Sequence, residues 1–254
     1  MPLTPRQAIE IFHLVFLRAL VAKGDDKSLF ALKGGCNLRF FFGSVRYSED
    51  IDFDVIVVRK DTLKNKVDRL LRSPLVTSPL KSQGLEITET STPKQTDTTQ
   101  RWKVGLAVQG LSVLLRTKIE FSRRDAILGA SFEGIGRDVL HPYRLTPFLA
   151  THYRTQAAIA QKIHALADRA TPQARDVFDL NQLFARPDAE STSLTSKERV
   201  WLPVAIDHAR DLSFDEYVSK VVAFLAPEQA DLFRTRAAWG AMQDAVVAQL
   251  EELS

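Results

Sequence analysis

The sequence predicts an α/β protein of the α+β kind, with a mixed sheet carrying helices and then a helical C-terminal subdomain. Three observations carry that expectation. Up to about residue 121, short apolar or alternating runs are interleaved with stretches of helical spacing; residues 29–42 read as strand, glycine turn and helix; and from Thr146 onward only helical spacing is found. The 254 residues exceed one ordinary domain and fall short of two, so a core domain at 1–145 and a helical subdomain at 146–254 are expected. With 45% apolar and 26% charged residues, the chain has the balance of a folded globular protein and is too apolar for intrinsic disorder.

Residues 3–22 place Ile9, Phe12, Phe16 and Leu20 at helical spacing behind Thr4-Pro5, a cap followed by a first-turn proline. The run 29–32 is a strand stopped by Lys33-Gly34-Gly35, and 37–42 restarts as a helix. Residues 51–58 read as a strand, and 61–72 as a helix ending before Ser73-Pro74. Strands are expected at 85–90, 102–108 and 112–121, the last two joined by a tight turn at Gln109-Gly110. Helices follow at 156–169, 174–184, 197–210, 214–225 and 227–250, with an exposed loop at 186–196.

Lys and Arg number 34 against 31 Asp and Glu, a formal net charge of +3 that points weakly to anionic partners. Six cations, Arg101, Lys103, Arg116, Lys118, Arg123 and Arg124, crowd one region that offers only Glu120 and Asp125 in return. Cys36 is the single cysteine, so no internal disulfide forms and no zinc spacing exists, in keeping with a reducing cytoplasm. No run approaches the ~20 apolar residues that span a bilayer, and no partner membrane is expected.

The densest chemical feature is Arg46-Tyr47-Ser48-Glu49-Asp50-Ile51-Asp52-Phe53-Asp54. An extended backbone puts Asp50, Asp52 and Asp54 on one face and Ile51, Phe53 and Val55 on the other. Adjacent carboxylates repel and call for a cation; Mg²⁺, held by one or two carboxylates and substrate phosphates, suits them, and a solvated acidic edge strand is the alternative. Fourteen residues and one helix separate Gly35 from Asp50, which lets the glycine turn return to the same end of the sheet and offer backbone N–H groups to an anion. Glu120, on the polar face of its strand, can join Asp50 and Asp52, or pair with Lys118 or Arg116. Two metal-binding aspartates and a third carboxylate suit in-line nucleotidyl or phosphoryl transfer. Lys162 edges the helical stripe Ile159, Ile163 and Leu166, where its stem is covered and its ammonium either reaches a cleft or snorkels. The Ser48 hydroxyl either meets the triphosphate, where it could itself be modified, or serves the turn before the strand.

In their order these motifs resemble the AbiEii/AbiGii toxin family of nucleotidyltransferases, with its mycobacterial relatives. The resemblance rests on Leu32-Lys33-Gly34-Gly35 with Leu38, Arg46-x-Ser48-x-Asp50-Ile51-Asp52-Phe53-Asp54 and Lys118-Ile119-Glu120. It continues through Ala160-x-Lys162-Ile163-x-Ala165-Leu166-x-x-Arg169 and Arg175-Asp176-x-x-Asp179-Leu180. It implies a polymerase-beta-like nucleotidyltransferase core whose active site the helical subdomain completes, acting as the toxin of a toxin–antitoxin pair. By position Gly34 and Gly35 would hold the triphosphate, with Lys33, Arg46 and Ser48 beside it. Asp50, Asp52 and Glu120 would hold Mg²⁺ or Mn²⁺, and Lys162 and Asp176 would be later active-site residues. The implied partners are a nucleoside triphosphate, tRNA as the acceptor, and an antitoxin protein. Departures fall at Cys36, Gln161 and Phe178, where the family often has threonine, an acid and tyrosine. A protein kinase or self-phosphorylating enzyme on the same fold, and a non-enzymatic binding module, are the competing readings.

Overall fold

The computed structural model describes residues 3–22 and 27–254. The chain forms two compact units: Met1–Gly43 with Tyr47–Tyr153, and Ser44–Arg46 with Arg154–Ser254. The first, the sheet unit, opens with helix α1 (Pro5–Leu20), started by a capping box in which Thr4 and Gln7 satisfy each other's backbone. Strand β1 (Phe30–Lys33) runs into helix α2 (Gly34–Phe41), and strand β2 (Ile51–Val55) follows. Helices α3 (Lys60–Arg72) and α4 (Pro74–Ser82) precede strands β3 (Leu85–Gln95), β4 (Thr99–Val108), β5 (Leu115–Arg123) and β6 (Ala130–Gly134). A short helix α5 (Arg137–Leu140) and strand β7 (Leu149–Tyr153) complete the unit.

The seven strands form one mixed sheet in the order β3-β4-β5-β2-β1-β7-β6, with β2 at its centre, parallel to β5 and antiparallel to β1. Helices α1, α3 and α4 pack together, and their apolar stripes share a core with the inner sheet face. Across β2 and β5 the paired Phe53 and Phe121 stack at 4.9 Å, with Phe16 of α1 6.2 Å from Phe53 and Trp102 of β4 5.8 Å from Phe121. The edge strand β3 is exposed along most of its length, and its two register shifts and Pro93 discourage pairing with another chain.

The helical unit holds α6 (Thr155–Asp168), α7 (Ala174–Phe184), α8 (Ser196–Arg199), α9 (Leu202–Asp211), α10 (Phe214–Lys220), α11 (Pro227–Phe233) and α12 (Arg236–Glu252). Helices α6, α7, α9 and α12 pack on one another around Ile159, Ile163, Phe178, Ala205 and Val246. Segment 44–46 joins this unit through a bridge from Arg46 to Leu225 and an ion pair to Asp179.

Several expectations need correction. Strands continue beyond residue 146: β7 pairs with β1 and β6, although Thr151 and His152 hide its apolar alternation. His152 is tolerated inside because Asn37 Oδ1 lies 2.9 Å from its Nδ1 and the Phe41 ring stacks on it at 3.7 Å. The sheet unit therefore ends at Tyr153, not at 145, and gives 44–46 to its neighbour. Helix α3 ends at Arg72, before Ser73-Pro74 as expected, and Pro74 then opens α4, a helix outside the expected set, as suits a residue with no N–H to leave unpaired. The turn at Gln109-Gly110 forms, with the Leu111 N–H donating to the Val108 carbonyl at 3.0 Å and Gly110 at φ 87°, but β5 starts only at Leu115, so it is the first part of a longer connection and not a two-residue hairpin. β2 stops at Val55, and the segment after it turns through Val57 at φ 64°. The expected helices at 197–210 and 227–250 are each divided, into α8 and α9 and into α11 and α12, and that at 214–225 is cut short at Lys220, with a turn of 3₁₀ helix at Val222–Phe224.

Candidate active site

The acids of β2 face outward because the residues between them are needed inside. Ile51, Phe53 and Val55 are each at most 1% exposed, so the pleat must present Asp52 and Asp54 on the opposite face. The parallel register with β5 then sets Glu120 directly beside Asp52, as Phe53 is beside Phe121. Asp50, Asp54 and Glu120 each meet a cation. Lys118 Nζ lies 2.6 Å from Asp50 Oδ2, Lys33 Nζ lies 2.6 Å from Asp54 Oδ1, and Arg101 Nε donates to Glu120 Oε2 at 2.6 Å. Asp54, 3% exposed, also accepts from the Tyr153 hydroxyl at 2.8 Å.

Gly34 enters α2 at φ +68°, a conformation that disfavours any side chain, and a Cβ there would stand 3.1 Å from Asp52 Oδ2. The turn and the acid strand are thus in close approach. Lys33, at the N-cap of α2, makes no side-chain cap, which leaves the first-turn N–H groups for an anion.

Desolvation pushes the Asp52 pKa up to about 6; Asp50 and Glu120 add to the rise, while Lys33 and Lys118 oppose it. A carboxylate so placed is relieved by a cation. Among the described residues no three acid, histidine or cysteine side chains gather to hold a metal by themselves. The donor set that fits is Asp50 and Asp52 completed by phosphate oxygens, the usual provision for Mg²⁺.

The helical unit contains a second charged centre. Arg46, 4% exposed, donates from Nη2 to both carboxylate oxygens of Asp179, at 3.0 and 2.9 Å. Lys162 Nζ lies 2.5 Å from Asp179 Oδ2 and 3.0 Å from Asp176 Oδ1. Desolvation alone would raise the Asp179 pKa; Arg46 and Lys162 outweigh it and hold the group below the ordinary carboxylate range. Arg169 Nε stands 3.1 Å from Asp176 Oδ2, yet both atoms lack a hydrogen bond, so that arm is electrostatic only.

The outer sheet face carries a graded row of charge from β2 to the edge. Asp52 is beside Glu120, Glu120 faces Arg101, and Arg101 faces Lys94 of β3; in the next row Lys118 faces Lys103. Like charges opposite one another weaken a sheet, so these cations cost stability unless an anion sits over them.

The structure thus brings Lys33, Gly34, Gly35, Ser48, Asp50, Asp52 and Glu120 into the sheet unit, and Arg46, Lys162 and Asp176 into the helical unit. Ser48 Oγ donates to the Asp50 carbonyl at 2.8 Å, the turn role. Glu120 pairs with Arg101, not with Lys118 or Arg116, because Arg101 is its cross-strand partner while the other two lie along its own strand. Sequence reasoning gave no site role to Asp54 or Asp179. Their signal was present as the third acid of the alternation and the acid one helical step from Asp176.

The fold is similar to JHP933 of Helicobacter pylori, with TM-score 0.61 and 20% identity over 99% of this chain and 96% of that one. It is also similar to a candidate nucleotidyltransferase of the same organism, with TM-score 0.57 and 22% identity over 95% and 96%. No curated protein matches. No helix among the described residues is long and apolar enough to cross a membrane. The sequence pattern of the "Nucleotidyl transferase AbiEii toxin, Type IV TA system" family matches residues 15–252, nearly the whole chain, and the chain therefore belongs to that family of toxin–antitoxin nucleotidyltransferases.

Proposed function

We propose that this toxin transfers a nucleotide from an Mg²⁺-bound nucleoside triphosphate to tRNA in the cytoplasm, under the control of its antitoxin. The observation that carries the reading is the pairing of Asp52 with Glu120 beside the Gly34 turn. Asp50 and Asp52 would hold the metal, which supplies charge neutralisation at the phosphates. The amides of the Gly34-Gly35 turn would bind the triphosphate, and Lys33 and Lys118 would exchange their carboxylate partners for phosphate oxygens. Glu120 would accept the proton of the acceptor hydroxyl as the new P–O bond forms at the α-phosphorus and pyrophosphate leaves. Lys162 and Asp176 are assigned to the reaction by their match to the family's motif. The outward cations Lys94, Arg101 and Lys103 favour a polyanionic acceptor over a neutral one.

The test incubates the protein with Mg²⁺, each α-labelled triphosphate and total tRNA. Labelled tRNA and released pyrophosphate are expected, with transfer abolished in Asp50→Ala and Asp52→Ala and greatly slowed in Glu120→Gln. Unchanged rates in either aspartate variant would sink the metal assignment. Release of nucleoside diphosphate would mark γ-phosphoryl transfer instead.

A further inference from the structure

The backbone that delivers Asp50 lies outside the sheet ladder. Pairing of β2 with β5 begins at Ile51 opposite Ile119, so the carbonyls of Glu49 and Asp50 must find other donors. Side chains provide them. Thr117 Oγ1 donates to the Glu49 carbonyl at 2.7 Å, Ser48 Oγ to the Asp50 carbonyl at 2.8 Å, and Cys36 Sγ to the same oxygen at 3.3 Å.

Thr117 is in turn held by α1. It is 3% exposed, and the Nε2 of His13, itself 1% exposed, lies 2.7 Å from its hydroxyl oxygen. A hydroxyl carries one proton. With that proton on the Glu49 carbonyl, Thr117 can only accept from His13, which places the imidazole proton on Nε2 and leaves Nδ1 an acceptor 3.4 Å from Cys36 Sγ, whose one proton can go either to it or to the Asp50 carbonyl that Ser48 already serves. Burial pushes the His13 pKa down to about 3, so the ring is neutral around pH 7 and one nitrogen remains an acceptor. The order of donation is therefore fixed from α1 through β5 to the Glu49 carbonyl.

We propose that Thr117, oriented by His13, is a positioning residue for Asp50. Turning the Glu49 carbonyl inward makes the following side chain project outward, where Asp50 meets Lys118 and is close enough to Asp52 to raise its pKa. Valine fills the space of threonine without a proton to give. The Glu49 carbonyl would then lose the donor that points it inward, and its peptide would turn toward water, carrying Asp50 with it. This inference rests on the reading of Asp50 as a metal ligand.

The experiment compares the wild-type chain with Thr117→Val, Thr117→Ser and Asp50→Ala. It measures nucleotide transfer, Mn²⁺ binding to the protein with a non-hydrolysable triphosphate by electron paramagnetic resonance, and melting temperature. Loss of a partner behind a metal ligand typically costs about tenfold to a hundredfold in activity or metal affinity. Thr117→Val is expected to lose that much in both kcat and Mn²⁺ affinity while the KM for nucleotide holds, and Thr117→Ser to recover both. A Thr117→Val protein with wild-type rate and Mn²⁺ affinity, or a serine variant no better than valine, overturns the proposal. Should Thr117→Val fail to fold, His13→Gln, which retains a donor at similar reach, is compared with His13→Leu; equal activity of the two is equally fatal. Asp50→Ala separates the levels. If it is active, the metal reading falls and takes this inference with it; if it is dead while Thr117→Val is fully active, only the positioning role is lost.

Discussion

Gly34 is where backbone and chemistry constrain each other most tightly. Its φ of +68° would cost a side chain about 1–2 kcal/mol, and the added methyl would stand 3.1 Å from Asp52 Oδ2. Gly34→Ala is therefore expected to lower the melting temperature modestly and to reduce transfer much further, because the three nearest atoms to the added methyl all belong to the Asp52 side chain. Calorimetry paired with steady-state kinetics checks this; a loss of rate no larger than the loss of folded protein would make Gly34 a turn residue only. At this scale the sequence displayed its alternating acids openly, since Asp50, Asp52 and Asp54 interrupt an apolar run at a period of two. Thr117 and His13 were hidden, as an ordinary strand threonine and a helical histidine, because what matters in them is a partner 104 residues away.

The strands β3, β4 and β5 offer the acceptor a surface more than they offer the fold stability. Lys94 and Lys103 are exposed, and each faces another cation across its ladder. The double variant Lys94→Glu and Lys103→Glu is expected to leave nucleotide binding intact and to raise the acceptor KM. If the acceptor is nucleic acid, the salt dependence of its binding should flatten by about one to two logarithmic units per tenfold change in salt. Filter binding across a salt series measures this, and an unchanged slope would move the acceptor off these strands. Elements were legible where period and punctuation agreed, as in α1 with its Thr4-Pro5 start and in the strand, glycine and helix around Gly34. β7 escaped because a five-residue strand carrying Thr151 and His152 has no apolar alternation to read, and its place follows from pairing with β1 and β6. Pro74 correctly marked the end of α3, but the helix it begins, α4, went unread.

Taken whole, the chain forms two units, and the helical one takes a short piece, 44–46, from within the sequence of the other. The acids of β2 belong to one, whereas Arg46, only four residues before Asp50, belongs to the other through Asp179. Removing one partner of a buried ion pair typically costs about 3–5 kcal/mol, so Asp179→Ala should destabilise the helical unit by that order in denaturant titrations. The folded Asp179 pKa is depressed, so its contribution is complete above the ordinary carboxylate value of about 3.9 and is lost as the pH falls through the folded value. The gap between wild type and variant should accordingly close in acid, and a gap that widens there would refute the assignment. Domain limits were the least legible feature, because nothing local in Ser44-Val45-Arg46 announces a guanidinium whose carboxylate lies 133 residues ahead. That separation also sets a clock. At about 5–20 residues per second a ribosome needs roughly 7–27 s to travel from Arg46 to Asp179. Within the first second or two of that interval the nascent chain completes its acid strand, after which Arg46 waits for Asp179, and Lys162, made near its end, waits for Asp176 and Asp179. A translating cell therefore meets the finished toxin only near the end of each round of synthesis.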